Sequence, residues 1–361
     1  MALWVVAGHS LLALPGTHGR MIQSLGNIFA VDVFIILSGF VIFFMLSETR
    51  DNYVVYLIKR FFRIFPIYLL VLVVSIVTLA WFKDILLQAP PGESTLSRIQ
   101  LIDAAYFKAP FQLLAHAALL QGVIPVHWIP FSSYTFVGQA WSVSVEWQFY
   151  LIAPLLFAWI AKSESTSTKI ALVILVLAIG GWTVMTDDGF VGRHCAMFIL
   201  GFLSLYFYRD LAHTLSTKTI VASAFLLTLA SAVIVPRYAV PIAIWCVTFG
   251  SVIVHTRHPL QRNPVATLLN LKVTAFIGRI SYSIYMTHML IVMILLKGFT
   301  YLPMGLHVRY VVFPLTVMAV TILCSAVTYK LVEMPFQKVG KKLAGHLKNR
   351  LAPKLAPIPA T

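Results

Sequence analysis

Ten long apolar runs dominate the sequence and restrict what the chain can fold into. An α-helix rises about 1.5 Å per residue, so roughly 20 apolar residues cross the ~30 Å hydrocarbon core of a membrane. Only 11% of the residues are charged, whereas about 25% is usual for a soluble globular protein. The sequence therefore predicts an all-α, polytopic membrane helix bundle. The runs lie at 1–14, 28–47, 64–82, 143–161, 169–186, 194–208, 219–235, 239–255, 277–296 and 311–331.

An eleventh apolar segment, 111–124, is interrupted by His116 and Gln121. The distribution of basic residues decides its interpretation, because Lys and Arg collect in the inner loops of membrane proteins. With ten spans and an inner N-terminus, 19 of the 27 Lys and Arg residues lie on the inner side. A further crossing at 111–124 would move the basic segment 256–279 outside. We therefore expect an interfacial or re-entrant helix within a large external loop, 83–141, and two cytoplasmic termini.

The formal net charge of +15 raises the question of a nucleic-acid partner. In a chain this apolar, basic residues serve as topology determinants and lipid contacts, so no nucleic-acid partner is predicted. The three cysteines lie in apolar runs without CxxC or Cys/His spacing, and neither a metal site nor a disulfide is predicted. The expected organisation is one transmembrane domain, 1–336, followed by a basic cytoplasmic tail, 337–361.

Three titratable residues lie in different predicted spans at a similar depth below the outer end. They are His9, Asp32 and Glu146. Such a side chain in hydrocarbon is costly, so it is expected to be paired, to line a wet cavity or to do chemistry. The alternatives are a headgroup-level position for Glu146 beside Trp141 and Trp147, and a packing role for His9. The shared depth favours a functional site over these alternatives.

A basic cluster, Lys59, Arg60 and Arg63, precedes Pro66, which is predicted to begin the third membrane helix. Basic side chains beside a helix N-terminus form an anion site, and this arrangement suits phosphate. Anchoring of the helix at the inner membrane surface explains the cluster equally well. Near the other end of the chain, Glu333 is expected to pair with a neighbouring basic residue rather than to take part in chemistry.

Seven short motifs occur in order along almost the whole chain. They are VVAGHS with His9, VDVFIILSGFVI (31–42), IKRFFRIFPIY (58–68), WSVSVEWQFY (141–150), GRHCAMFILG (192–201), IGRISYSIYMTH (277–288) and YKLVEMPF (329–336). Together they resemble the acyltransferase-3 family of integral membrane O-acyltransferases, which acetylate bacterial surface polysaccharides and related acceptors. The family usually has an arginine eleven residues before the first-helix histidine, a position that falls before Met1. Because the first run is also short, we expect the functional polypeptide to begin upstream of Met1.

The resemblance implies transfer of an acetyl group from cytosolic acyl-CoA to a hydroxyl of an extracytoplasmic saccharide or lipid-linked glycan. It also implies a location in the bacterial inner membrane and no tightly bound cofactor. Such a transfer needs a base and a group that stabilises the oxyanion. His9 is the candidate base or acyl carrier, and Asp32 or Glu146 is the candidate to orient it. Arg60 and Arg63 would hold the CoA phosphates. The remaining candidates are Ser38, Tyr150, Tyr282 and Tyr285 as oxyanion donors, and His288 as a second base.

A transporter or flippase is the leading alternative, because intramembrane His, Asp and Glu residues also mark substrate and proton paths. Transporters built from repeats tend to have interrupted spans at matching positions in two halves. We find no such pair of spans in this sequence. A purely structural or sensory membrane protein is a third alternative, and the titratable residues at a common depth argue against it.

Overall fold

The computed structural model describes residues 1–15, 27–49, 51–89, 93–162, 166–259 and 262–351. All regular elements in these ranges are helical, which confirms the all-α prediction. The α-helices are α1 (Ala2–Ala13), α2 (Asn27–Glu48), α3 (Tyr53–Gln88), α4 (Glu93–Tyr106), α5 (Ala109–Ala117), α6 (Trp141–Lys162), α7 (Thr166–Met185), α8 (Cys195–Tyr206), α9 (Thr217–Ile234), α10 (Ala239–Arg257), α11 (Pro264–Leu269), α12 (Lys272–Thr300), α13 (Leu306–Thr328) and α14 (Met334–Leu351).

Seven helical stretches within the described residues are long and apolar enough to cross a membrane. They are Ile28–Glu48, Tyr53–Gln88, Val191–Leu211, Thr217–Ile234, Pro236–Arg257, Lys272–Thr300 and Leu306–Arg350. Two further apolar helical stretches are shorter, Ala2–Ala13 and Ile174–Met185. The remaining predicted run forms α6, a helix of 22 residues that carries Glu146. All ten apolar runs thus form helices, and the polytopic helical architecture is confirmed.

Helix α3 begins earlier than the sequence predicts. Its N-cap is Asn52, whose side chain accepts a hydrogen bond of 2.8 Å from the backbone N–H of Val55. Pro66 lies inside this helix of 36 residues. The prediction that Pro66 begins the helix is therefore wrong, because a long membrane helix tolerates the loss of one backbone hydrogen bond at an internal proline. An anion site at a helix N-terminus beside Pro66 is excluded.

The segment 111–124 does not form one helix. Helix α5 ends at Ala117, Leu119 has a positive φ of 55°, and a single 3-10 turn follows at Gln121–Val123. With nine residues, α5 is about 14 Å long, which is too short to cross a membrane. The interfacial or re-entrant placement of this segment stays a prediction, whereas an eleventh full span is ruled out by its helix length.

His116 links this segment to the loop that follows it and to α3. Its Nε2 lies 3.0 Å from both the carbonyl oxygen of Ser132 and the Oγ1 of Thr135. The hydroxyl of Tyr68 donates to the His116 carbonyl oxygen over 2.8 Å, which ties the loop to α3. Burial lowers the pKa of His116 to about 4, so the ring is neutral at physiological pH. Polar contacts of this kind hold the loop together from within.

Two large clusters of buried apolar side chains form most of the core, and a third, small cluster contains Ala212, Ile220 and Ile253. Of the two large clusters, one is built mainly from α2, α3, α6 and α8, and the other from α1, the second half of α3, α12 and α13. Phe136 and Leu290 pack against both clusters. The two clusters therefore meet beside α12, where the histidine of that helix lies.

Helices α2 and α8 cross at close range. A Cβ atom on Gly201 would lie 2.2 Å from the carbonyl oxygen of Ile36, and one on Gly39 would lie 2.6 Å from that of Phe198. Small residues allow membrane helices to approach in this way. The contact fixes the rotation of α2, so that one face packs on α8 and the face with Ser38 points elsewhere.

The basic tail forms a helix that packs on the membrane domain. Helix α14 continues from α13 through a π-helical turn, Tyr329–Glu333, and runs along α3. Lys348 in α14 binds the Asp51 carboxylate at 2.8 Å, and Lys59 of α3 binds the same carboxylate. The tail up to residue 351 is thus an ordered part of the fold, and 352–361 lie outside the described residues.

Candidate active site

A cavity of about 340 Å³ lies between α2, α3, α6 and α12. The arrangement is produced by the α2–α8 crossing, which turns the Ser38 face of α2 toward the other three helices. The cavity wall contains seven of the ten residues predicted for the site. These seven are Ser38, Arg60, Arg63, Glu146, Tyr150, Tyr282 and Tyr285. Residues from four of the sequence motifs therefore meet at one place.

Glu146 projects into this cavity from the first part of α6. Its Oε1 accepts a hydrogen bond from the hydroxyl of Tyr150 and another, of 3.4 Å, from Ser38. Both bonds use the same oxygen, and no described residue forms a hydrogen bond with Oε2. Trp147 is buried and its ring packs edge-on against Phe65 at 4.9 Å, so it does not anchor α6 among lipid headgroups. The carboxylate therefore lines a cavity and accepts hydrogen bonds there.

The two arginines of α3 differ in their partners. The Arg60 guanidinium lies 5.3 Å from the ring centroid of Tyr150 and 5.6 Å from that of Tyr56, and it forms no ion pair with a described carboxylate. Arg63 binds the buried Glu333 carboxylate at 2.8 Å. The predicted pairing of Glu333 with a basic residue is confirmed.

A second cavity, of about 430 Å³, adjoins the first at these arginines. Five of its wall residues are basic, and none of the described wall residues is acidic. The basic residues are Lys59, Arg60, Arg63, Lys341 and Lys348. Because Arg60 and Arg63 belong to the walls of both cavities, the cationic cavity and the cavity that contains Glu146 are adjacent.

His9 and His288 lie next to each other, with ring centroids 5.3 Å apart and an angle of 37° between the rings. The Nδ1 of His288 lies 2.7 Å from the carbonyl oxygen of Tyr285. A carbonyl only accepts, so Nδ1 carries a hydrogen and the neutral ring has a lone pair on Nε2. That Nε2 is buried and has no hydrogen-bond partner among the described residues. The lone pair is thus free to accept a proton.

The histidine pair lies beside the first cavity rather than in its wall. Tyr285 forms part of that wall, and its ring centroid is 5.9 Å from that of His288. Helix α12 therefore connects the cavity to the histidines through two residues one turn apart. Sequence reasoning ranked His9 above His288, and the geometry brings the two together.

Asp32 lies away from both groups. Its carboxylate is buried, neither oxygen has a hydrogen-bond partner among the described residues, and Nδ1 of His194 is 4.0 Å from Oδ1. Within the described ranges no hydrogen bond or ion pair joins Asp32 or Glu146 to the His9 ring, so the role of either carboxylate in orienting His9 stays a prediction. Equal depth in three helices does not fix their rotation, and the packing of α2 on α8 turns Asp32 toward His194.

The predicted oxyanion donors already use their hydrogens. The hydroxyl of Tyr282 donates to the carbonyl oxygen of Ile64, and that of Tyr285 donates to Gln139, each over 2.8 Å. Tyr150 and Ser38 both donate to Glu146, as described above. Each hydroxyl has one hydrogen, so these groups shape the cavity wall in this structure and are not free donors to an oxyanion.

Three basic residues near the site were missed by sequence reasoning. Lys341 and Lys348 belong to the predicted basic tail, and no role in the site was predicted for them, although their spacing of seven residues places them on one face of a helix. Arg98 was counted as one of several outer basic residues, yet its Nη2 donates to the His9 carbonyl oxygen over 3.5 Å. No signal in the sequence distinguishes Arg98 from the other external basic residues.

Comparison with known proteins assigns the chain to a family. A family model described as an acyltransferase domain, that of acyltransferase-3, matches residues 1–330. No curated protein and no solved structure gives a significant match. The matched region contains both histidines and all the walls of the first cavity, whereas α14 lies beyond it. The chain therefore belongs to the acyltransferase-3 family and is a membrane acyltransferase.

Proposed function

We propose that the protein transfers an acetyl group from cytosolic acyl-CoA to a hydroxyl of an extracytoplasmic saccharide or lipid-linked glycan. The observation that supports this most is the junction of the two cavities at Arg60 and Arg63. One cavity is cationic, and the other reaches the wall that adjoins the histidine pair. An elongated donor with phosphates at one end and a thioester at the other fits these two cavities, with the phosphates in the cationic one.

The cationic cavity suits the phosphates of CoA. Arg and Lys side chains bind phosphate oxygens through short, charge-assisted hydrogen bonds, and Arg adds a planar, bidentate geometry. Lys341 and Lys348 line this cavity together with Arg60, so α14 would contribute to the donor site. The pantetheine arm carries amide N–H groups, and the free Oε2 of Glu146 is an acceptor in the cavity that the arm would occupy.

The histidine pair provides the proposed proton-transfer site. The acceptor oxygen attacks the thioester carbonyl, and its proton passes to Nε2 of His288 as the C–O bond forms. The proton then goes to the CoA sulfur as the C–S bond breaks. His9, packed against this ring, shares the proton during transfer. The exchange balances without an oxidant, a reductant or a bound cofactor, and neither histidine needs to become covalently acylated.

The role of Arg60 is tested with two donors, acetyl-CoA and S-acetyl-pantetheine, which lacks the phosphates. We expect Arg60→Ala to raise the KM for acetyl-CoA about tenfold or more with little change in kcat, because a remote phosphate is held equally in ground and transition states. The KM for S-acetyl-pantetheine should not change.

Arg209→Ala is the matched control for this experiment. Arg209 pairs with Glu48 at 3.6 Å, is largely exposed and lines neither cavity, so its removal should leave both KM values unchanged. Equal KM increases for the two donors in Arg60→Ala, or a loss confined to kcat, would show that Arg60 does not bind the donor phosphates.

We infer that the protein resides in the bacterial inner membrane with both termini in the cytoplasm. The excess of basic residues in alternate loops supports this orientation. In a background without native cysteines, Lys272→Cys should be protected from a membrane-impermeant maleimide in intact cells, and Lys108→Cys should be labelled. Both positions are exposed, so access to the reagent depends on the side of the membrane. Labelling of Lys272→Cys from outside would show that the protein has the opposite orientation.

A further inference from the structure

Arg98 is a partly buried cation that has a buried nitrogen without a hydrogen-bond partner among the described residues. It lies in α4, and its Nη2 donates to the carbonyl oxygen of His9. The Nη1 is buried and has no hydrogen-bond partner among the described residues. Burial lowers the pKa of Arg98 to about 10, so the guanidinium is still charged at physiological pH. A buried charge with a free donor is unfavourable unless a ligand binds it.

No carboxylate with a described side chain neutralises this charge. Every ion pair in the structure belongs to another basic residue. The undescribed segments that follow α1 and precede α4 in the sequence, 16–26 and 90–92, contain no Asp or Glu, and the side chain of Glu93 also lies outside the description. Among the described side chains, the Arg98 guanidinium therefore has no counter-charge.

Arg98 also borders a cavity of about 110 Å³ between α3, α4, α12 and the loop before α6. This volume is large enough for several water molecules, so a small charged group fits in it. Met289 and Leu290, which directly follow His288, line the same cavity. A ligand at Arg98 would therefore lie close to the histidine pair.

This cavity is separate from the donor side. It shares no wall residue with the cavity that contains Glu146 or with the cationic cavity. Arg98 also donates to the backbone carbonyl oxygen of His9, whose ring contacts that of His288. An anion at Arg98 would approach the histidines from a different direction from the thioester, as the second substrate must.

We propose that Arg98 binds an anionic group, a carboxylate or a phosphate, on the acceptor saccharide. The proposal rests on the proposed function for the identity of the second substrate. A guanidinium forms paired hydrogen bonds with either anion, and it discriminates strongly against a neutral sugar, for which the buried charge stays uncompensated. Arg98 would thus select acidic acceptors and hold them beside the histidine pair.

The test is a binding measurement on the full chain purified in detergent. The probes are galacturonate, glucose 6-phosphate and uncharged galactose. The unmodified protein should bind at least one anionic probe about 10- to 100-fold more tightly than galactose, as expected for a charge-assisted pair. Arg98→Gln should bind all three probes equally weakly, and Arg98→Lys should retain part of the preference. A preference between the two anions identifies the group as a carboxylate or a phosphate.

Arg237→Gln is the matched control, because Arg237 is an exposed arginine that lines none of the three cavities. It should keep the full preference. The proposal is overturned if the unmodified protein binds galactose as tightly as both anions, or if Arg98→Gln keeps the preference. It is also overturned if Arg98→Gln melts far below the unmodified protein, which would make Arg98 a structural cation.

These results do not depend on acyl transfer, because no donor is present in the binding measurement. Failure of the proposed function would appear separately, as the absence of transfer from acetyl-CoA to any acceptor. Where transfer is measured, Arg98→Gln should lose the preference for acidic over neutral acceptors and keep its KM for the donor.

Discussion

His288→Ala is expected to lower the rate of acyl transfer by about 100-fold or more, because it removes the lone pair on the buried Nε2 that accepts the acceptor's proton. His9→Ala should cause a loss of similar size, since the two rings are in contact. The measurement is the single-turnover rate at saturating acetyl-CoA, with protein yield and melting temperature as checks on folding.

His288→Asn separates the chemical role from the structural one. The asparagine amide N–H can still donate to the Tyr285 carbonyl oxygen, but it provides no base at the Nε2 position. This variant should melt like the unmodified protein and be as inactive as His288→Ala. His213→Ala, at an exposed position, is the control with full activity. If His9→Ala retains more than about a tenth of the rate, His288 acts as the base alone; if both variants do, the base lies elsewhere.

Arg63→Gln is expected to cause the largest loss of stability. Glu333 is 1% exposed, and its carboxylate also accepts hydrogen bonds from Ser283 and Gln337. Removal of its cationic partner leaves a buried, uncompensated charge. We expect a cost of about 3 kcal/mol, the lower end for a broken buried pair, because Arg63 itself is partly exposed. The measurement is the thermal midpoint in detergent.

The double variant Arg63→Gln/Glu333→Gln should recover most of that stability, because a neutral amide needs no counter-charge and keeps hydrogen bonds to its neighbours. Arg209→Gln removes the exposed partner of Glu48 and should change stability by less than about 1 kcal/mol. A double variant as unstable as Arg63→Gln alone would mean that Arg63 stabilises the fold through its packing with Tyr282 rather than through the ion pair.

Much of the fold follows from the sequence, because the length of an apolar run is enough to identify a membrane helix. The prediction that a helix begins at Pro66 is wrong for a clear reason. Proline ends most helices in water, but a helix in hydrocarbon has no water to satisfy its freed backbone groups and therefore continues. The polar residues of 111–124 correctly indicate that this segment is not a membrane-spanning helix. The buried His116 ring needs hydrogen-bond partners, and the folded loop provides them.

The candidate site was predicted less completely. Motifs located the residues, and seven of the ten line one cavity. The sequence also predicts how deep a residue lies along its helix, but it does not predict how the helix is rotated about its axis. Asp32 and Ser38 lie on the same helix, and only the glycine contact with α8 decides which of them reaches the cavity. The state of His288 likewise depends on the carbonyl oxygen of Tyr285, a backbone contact that no residue pattern encodes.

The position of α14 has a consequence for how activity arises during synthesis. Its Lys348 contacts Asp51, a residue 297 positions earlier, and Arg63 contacts Glu333 across 270 positions. Contacts between such distant residues form late, because the intervening chain must first be inserted and folded. The histidine pair likewise joins the first helix to α12. A nascent chain that still lacks α12 and α14 thus has neither the histidine pair nor the complete wall of the cationic cavity, so both parts of the site form only when synthesis is nearly finished.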